Sequence, residues 1–127
     1  MSRRVLTIDD QTDIRRLIRM TLEFEGFDVL EAGGGPEGLE MAWSKKPDLI
    51  LLDVMMPGMS GLTVASMLRT DERLKHIPVV MLTALDRESD MEAGLATGAQ
   101  AYLAKPFSPM ELLDVVERLI TESQARR

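Results

Sequence analysis

The sequence predicts an α/β fold: a doubly wound, five-stranded parallel sheet with helices on both faces, making three layers. Strand-like apolar runs alternate with segments of helical periodicity, which is typical of βαβ units. There are five such runs, near residues 4–8, 28–32, 49–53, 79–83 and 101–104. The middle run begins with four successive apolar residues rather than an alternating pattern. We therefore expect it to be a central strand covered on both faces.

Five helices are predicted between and after these strands. In the first, Ile14, Leu17, Ile18 and Leu22 recur at helical spacing, and Gly26 is placed to end the helix. The others are expected at about 36–45, 61–69, 87–97 and 109–123. Proline at 36 suits a first helical turn, and the proline at 47 blocks continuation of the second helix.

Length and composition indicate one domain. A chain of 127 residues with 45% apolar residues can form a single core, which we place at residues 1–123 with a polar tail at 124–127. Its 15 basic and 21 acidic residues give a net charge of −6, which disfavours direct binding to nucleic acid or to an anionic membrane. The absence of cysteine fits a cytoplasmic location.

Polar residues follow four of the predicted strands. Asp9 and Asp10, Asp53, Thr83 and Lys105 stand where the apolar runs end. The carboxyl ends of parallel strands meet at one edge of a sheet, where ligands bind in open α/β folds. Three carboxylates need a cation, and an all-oxygen ligand set favours Mg²⁺. Lysine and a hydroxyl suit a phosphoryl group, and a carboxylate can serve as its acceptor.

Each of these residues also has a simpler interpretation. The aspartate pair could cap the first helix, and Asp53 could open a turn. Thr83 could be an ordinary strand residue, Lys105 a solvated surface lysine, and Tyr102 a plain edge residue. The interpretations stay open for any one residue taken alone.

Four sequence stretches together resemble the response regulator receiver domain of two-component signalling, in particular its chemotaxis-type single-domain form. They are VLTIDD at 5–10, PDLILLDVMMPGMSG at 47–61, PVVMLTA at 78–84 and YLAKPF at 102–107. The resemblance covers about residues 4–121. It implies a flavodoxin-like fold with strand order 2-1-3-4-5.

The resemblance also implies the role of each site residue. Asp53 would accept a phosphoryl group from a phosphohistidine of a sensor histidine kinase or phosphotransfer protein. Asp10, Asp53 and the backbone oxygen of Met55 would bind Mg²⁺ directly, with Asp9 acting partly through water. Such a protein is a signalling phosphoacceptor that catalyses only its own modification, not an enzyme acting on an external substrate.

A conformational switch is implied by the same resemblance. Lys105, the Thr83 hydroxyl and the backbone N–H of Ala84 would bind the phosphoryl oxygens. Tyr102 would follow Thr83 inward, and the Lys105–Pro106 peptide bond would be cis. An output partner would bind the surface formed by the fourth helix, the fifth strand and the fifth helix.

Two alternatives accompany this hypothesis. The chain could be the N-terminal receiver of a larger regulator, for example a DNA-binding one. In a different class, Gly33 to Gly38 match the G-x-G-x-x-G pattern of a small dinucleotide-binding domain, although Pro36 removes one N–H donor there.

The last predicted helix has a broad apolar arc that allows two interpretations. Its members cover about 160° at 100° per residue, more than an ordinary core stripe. They are Leu112, Leu113, Val115, Val116, Leu119 and Ile120. The arc indicates either deep burial or an apolar partner surface.

Overall fold

A computed structural model describes residues 3–84 and 98–125. Its single sheet contains five parallel strands in the order β2-β1-β3-β4-β5. The strands are β1 (Arg4–Ile8), β2 (Asp28–Ala32), β3 (Leu49–Asp53), β4 (Val79–Ala84) and β5 (Ala101–Lys105). The predicted doubly wound parallel sheet and its strand order are thereby confirmed.

Four helices lie within the described residues. They are α1 (Thr12–Phe24), α2 (Gly35–Lys45), α3 (Gly61–Thr70) and α4 (Pro109–Ala125). The helix predicted at 87–97 lies outside the described residues. None of the helices that the structure describes is long and apolar enough to cross a membrane.

The sheet separates two apolar cores. One is packed under α1 and α4, and the other under α2 and α3. The central strand β3 serves both cores: Leu49 and Leu51 face the first, whereas Ile50 and Leu52 face the second. All four residues are fully buried. This confirms why the strand is apolar throughout, since neither of its faces meets solvent.

Helix α1 ends as the sequence predicts, because Gly26 adopts φ +90°, which a glycine tolerates without steric cost. The N–H groups of Gly26 and Phe27 donate to the carbonyl oxygens of Glu23 and Leu22, each at 3.0 Å. The sequence predicts the end of α2 from Pro47 but does not predict the conformation of its last turn. There Lys46, rather than a glycine, adopts the left-handed conformation, at φ +47°.

Burial explains five of the six residues in the apolar arc of α4. Leu112 and Val116 are fully buried, and Val115, the most exposed of the buried arc residues, is 8% exposed. Leu113, the remaining arc residue, is partly buried and lines an apolar groove between α1 and the start of α4. Its most exposed members are Met20, Phe24 and Met110.

The glycine-rich segment has a packing role that requires no nucleotide. A Cβ atom at Gly35 would lie 2.8 Å from the sulfur of Met59, and one at Gly38 would lie 2.5 Å from the Cδ1 atom of Ile8. These glycines therefore let α2 approach β1 and the loop before α3 closely.

Thr7, in the middle of β1, is a buried polar residue whose hydroxyl has no hydrogen-bond partner within the described part of the chain. Such a hydroxyl costs free energy that an isosteric methyl group does not. We therefore expect Thr7→Val to raise the free energy of unfolding by about 1 kcal/mol in a urea titration. The exposed Thr63→Val, on α3, should change it by less than about 0.5 kcal/mol. Destabilisation by Thr7→Val would mean that the hydroxyl is satisfied in solution.

Candidate metal and phosphoryl site

A polar pocket of about 360 Å³ opens at the carboxyl edge of the sheet. The ends of β1, β3 and β5 place Asp9, Asp53 and Lys105 side by side there. The pocket is lined by Asp10, Gln11, Asp53, Met55, Ala84 and Lys105. Residues that are far apart in the chain meet at this edge because all five strands run in the same direction.

Three carboxylates form an acidic cluster in this pocket. One oxygen each of Asp9, Asp10 and Asp53 lies within 4.8 Å of the others. Asp9 is fully buried and Asp53 is 4% exposed, whereas Asp10 is exposed to solvent. This arrangement concentrates negative charge in a region where water screens it poorly.

The electrostatics of Asp53 reflect this crowding. Burial, and then the nearby charge of Asp9, raise the pKa of Asp53 to about 6. The Lys105 ammonium and the backbone N–H of Met55, which donates to Asp53 Oδ1 at 3.3 Å, act in the opposite direction. The ionised carboxylate therefore lacks enough positive charge around it and would gain from a further cation.

Lys105 is held by three oxygen acceptors at the pocket. Its Nζ atom lies 3.0 Å from Asp9 Oδ2, 3.1 Å from Gln11 Oε1 and 3.4 Å from Asp53 Oδ1. Only 17% of its side chain is exposed. The interpretation of Lys105 as a solvated surface residue is therefore wrong.

Asp9 is anchored from two sides by residues that the sequence did not single out. The backbone N–H of Gln11 donates to Asp9 Oδ1 at 2.9 Å. The Arg15 guanidinium donates to the backbone carbonyl oxygen of Asp9 and, at 3.0 Å, to Glu31 Oε1. Hydrogen bonding to Arg19 and Arg15 lowers the pKa of Glu31. The role of Arg15 could not be predicted, because a basic residue in the first turns of a helix is common and indicates no particular contact.

Asp10 differs from its neighbour, because no hydrogen bond or ion pair engages its carboxylate within residues 3–84 and 98–125. Asp9 already accepts hydrogen bonds from Lys105 and from the N–H of Gln11. The exposed member of the pair is thus the one whose oxygens are available to a ligand.

The remaining predicted residues lie around this pocket. Thr83 is 1% exposed, and its hydroxyl has no hydrogen-bond partner among the described residues. Ala84 lines the pocket. Tyr102 lies on β5 with 40% of its surface exposed, and the Lys105–Pro106 peptide bond is cis.

The chemistry of the donor set fits Mg²⁺. Carboxylate and carbonyl oxygens are its preferred protein ligands, and it commonly takes only one or two carboxylates with several waters. The acidic cluster supplies three carboxylates, and Met55 is among the residues that line the pocket.

Fold and pocket together define a doubly wound α/β domain with an acidic cluster beside a partly buried lysine. Residues 5–117 match the model of the response regulator receiver domain. The chain belongs to this family.

Among curated proteins, the chain is 41% identical over 124 residues to the alkaline phosphatase synthesis transcriptional regulatory protein PhoP of Bacillus subtilis. It is 42% identical over 125 residues to the transcriptional regulatory protein SrrA of Staphylococcus aureus. Each match covers 98% of this chain but 51% of the relative. The chain thus spans about half the length of these curated relatives.

Solved structures have similar folds over nearly all of this chain. A response regulator of Chloroflexus aurantiacus superimposes with a TM-score of 0.92 at 33% identity, covering 95% of this chain and 99% of that one. A chemotaxis response regulator of Vibrio cholerae superimposes with a TM-score of 0.88 at 34% identity, covering 94% and 99%. Each match thus extends over nearly the whole of the solved chain.

Proposed function

We propose that this chain is a phosphoacceptor receiver that takes a phosphoryl group onto Asp53 from a phosphohistidine of a partner kinase. The observation that carries the proposal is the meeting of a buried carboxylate, a partly buried lysine and two further carboxylates in one pocket. A purely structural ion pair would need only one of these carboxylates. The surplus negative charge is expected of a site that binds a cation and then an anion.

In the proposed reaction, a carboxylate oxygen of Asp53 attacks phosphorus, and the bond between phosphorus and the donor nitrogen breaks. The leaving nitrogen retains the electron pair of that bond. Lys105 lies 3.4 Å from the Asp53 oxygen and would balance the charge of the phosphoryl oxygens. Asp10, Asp53 and the backbone oxygen of Met55 would hold Mg²⁺, supported by Asp9. The metal would supply further neutralisation of the phosphoryl group.

Thr83 supports a switching role for the same site. Its buried hydroxyl, which has no partner in the described part of the chain, would gain a hydrogen bond when a phosphoryl oxygen arrives within reach. We propose that Thr83 then moves toward the phosphoryl group with the N–H of Ala84, and that the half-exposed Tyr102 turns inward behind it. Phosphorylation of Asp53 would thereby shift the conformational population of the domain toward a state that an output partner binds through β5 and α4.

Intact-mass measurement tests the proposed function. The protein is incubated with Mg²⁺ and a small acyl phosphate, and we expect a mass increase of one phosphoryl group. Asp53→Asn should abolish the increase, whereas Asp114→Asn, which changes an exposed carboxylate on α4, should retain it. An unmodified wild-type protein, or equal modification of Asp53→Asn, would overturn the proposal.

Mg²⁺ binding should distinguish the two adjacent aspartates. We expect Asp10→Asn to weaken Mg²⁺ binding more than Asp9→Asn, because Asp10 is exposed and has no partner among the described residues, whereas Asp9 is bound to Lys105. Asp9→Asn should cost about tenfold in affinity, as is usual for residues that support metal ligands, and Asp10→Asn should cost more. Isothermal titration calorimetry measures both, and the reverse order would show that the two roles are assigned wrongly.

A second proposal concerns the whole protein. The matched curated relatives are transcriptional regulatory proteins, and the chain spans half their length. We propose that the receiver controls a DNA-binding segment in a longer polypeptide. DNA binding by the product of the full reading frame, with and without the phosphodonor, tests this. Binding that does not respond to the phosphodonor would contradict it.

A further inference from the structure

Gln11 is the N-cap residue of α1, with extended backbone angles, but its side chain makes no capping hydrogen bond. Serine, threonine, aspartate and asparagine are the residues that usually cap a helix. Here the side chain of Gln11 points to the pocket instead, and its Oε1 atom accepts a hydrogen bond from Lys105 Nζ at 3.1 Å. The contact joins residues 94 positions apart in the chain.

The three acceptors of Lys105 are not equivalent. Asp9 and Asp53 are charged, and both belong to the acidic cluster whose oxygens a divalent cation would take. The amide oxygen of Gln11 is neutral and is not a member of that cluster. A cation bound among the carboxylates would therefore compete with Lys105 for the oxygens of Asp9 and Asp53 more than for that of Gln11.

We infer that Gln11 is a positioning residue, which holds the Lys105 ammonium at the mouth of the pocket where the phosphoryl oxygens of a donor arrive. The inference rests on the proposed function of Asp53. A lysine side chain has four rotatable bonds, and an ammonium held in advance saves the entropy of finding its place when the donor binds. Gln11 itself does not touch the reacting atoms.

The backbone of Gln11 has a separate role that side-chain substitutions leave intact. Its N–H donates to Asp9 Oδ1 at 2.9 Å, and this bond does not depend on the side chain. Substitutions at position 11 therefore test the Lys105 contact without removing the anchor of Asp9.

Two variants and a control distinguish positioning of Lys105 by Gln11 from a surface contact that has no effect on phosphorylation. Gln11→Met keeps the length of the side chain and removes the acceptor, whereas Gln11→Glu keeps an acceptor. Gln124→Met makes the same change at an exposed residue near the end of α4. The rate of phosphorylation by a small acyl phosphate is measured against donor concentration. Mg²⁺ affinity is measured by calorimetry, and the motion of the Lys105 side chain by NMR relaxation in metal-free protein.

We expect Gln11→Met to lower the phosphorylation rate at limiting donor by about tenfold. Its Mg²⁺ affinity should stay within about twofold of wild type, because the acidic cluster is unchanged. Lys105 should become more mobile in the metal-free variant. Gln11→Glu should recover most of the rate and of the restricted motion, and Gln124→Met should match wild type throughout.

The inference is overturned if wild type is phosphorylated on Asp53 and Gln11→Met matches it in rate and in Lys105 motion. It is also overturned if Gln11→Met weakens Mg²⁺ as much as it lowers the rate, since the residue would then support the metal rather than the lysine. Failure of wild type itself to take the phosphoryl group would instead overturn the proposed function, so the two failures are distinguishable.

Discussion

Gly61→Ala is expected to lower the free energy of unfolding by about 3 kcal/mol, the upper end of the usual cost of overpacking. A Cβ atom at this position would lie 2.0 Å from the backbone carbonyl oxygen of Asp53 and 2.9 Å from the Cα atom of Val54. Both neighbours are backbone atoms, so no side-chain rotation relieves the clash. The start of α3 would have to move away from the end of β3.

Local hydrogen bonds resist that movement. The N–H of Gly61 donates to the carbonyl oxygen of Val54 at 3.0 Å, and the Ser60 hydroxyl caps α3 by accepting from the N–H of Leu62 at 3.0 Å. Displacing α3 would strain these bonds together with the segment that carries Asp53. We therefore also expect weaker Mg²⁺ binding by Gly61→Ala.

Urea unfolding of Gly61→Ala beside Gly33→Ala measures the effect. A Cβ atom at Gly33 would meet only ordinary contacts, at 3.8 Å from side-chain atoms of Arg15 and Glu37. Gly33→Ala should thus be close to neutral, or slightly stabilising through the unfolded state. Equal stabilities of the two alanine variants would show that α3 does not lie against Asp53 as described.

Asp53→Asn should stabilise the metal-free protein at neutral pH and lose this advantage in acid. Burial and the charge of Asp9 raise the pKa of Asp53 from its usual 3.8 to about 6. The folded protein consequently binds the proton more tightly than the unfolded chain between about pH 4 and pH 6. Stability contributed by the protonated carboxyl is complete below about pH 4 and is lost as the pH rises through about 6.

The size of the effect follows from the shift. Each pKa unit corresponds to about 1.4 kcal/mol, so the carboxylate costs on the order of 3 kcal/mol once it is ionised. Asparagine carries no charge at any of these pH values. The stability difference between Asp53→Asn and wild type should therefore grow by this amount between about pH 4 and pH 7.5.

Urea titrations in the presence of a chelator, at several pH values, give this difference directly. Met55→Leu, which changes an uncharged neighbour, should preserve the wild-type dependence on pH. A difference between Asp53→Asn and wild type that stays constant with pH would contradict the raised pKa of Asp53.

Much of the fold is predictable from local patterns in the sequence. The bounds of the described strands agree with the prediction to within a residue, because short apolar runs and flanking polar residues mark them. The buried arc of α4 was ambiguous, since an apolar surface for a core and one for a partner have the same composition. Only the packing of Leu112 and Val116 against the sheet decides between them.

Contacts between distant residues set the limit of sequence-based prediction at the site. Asp9, Asp53 and Lys105 could be placed at one edge because strand direction alone brings them together. The role of Gln11 could not be predicted in this way. No local sequence pattern indicates that a neutral side chain at the start of a helix bonds to a lysine far along the chain. The close approach of Gly61 to Asp53 was equally hidden, since its cause is the position of another element.

The site of phosphorylation is the most direct test of the central claim. Protein treated with Mg²⁺ and a small acyl phosphate is reduced with borohydride, which converts an aspartyl phosphate to homoserine, and the peptides are sequenced by mass spectrometry. We predict homoserine at position 53 and aspartate retained at positions 9 and 10. Homoserine at another aspartate, or unaltered Asp53 in protein that has gained the phosphoryl mass, would contradict the account.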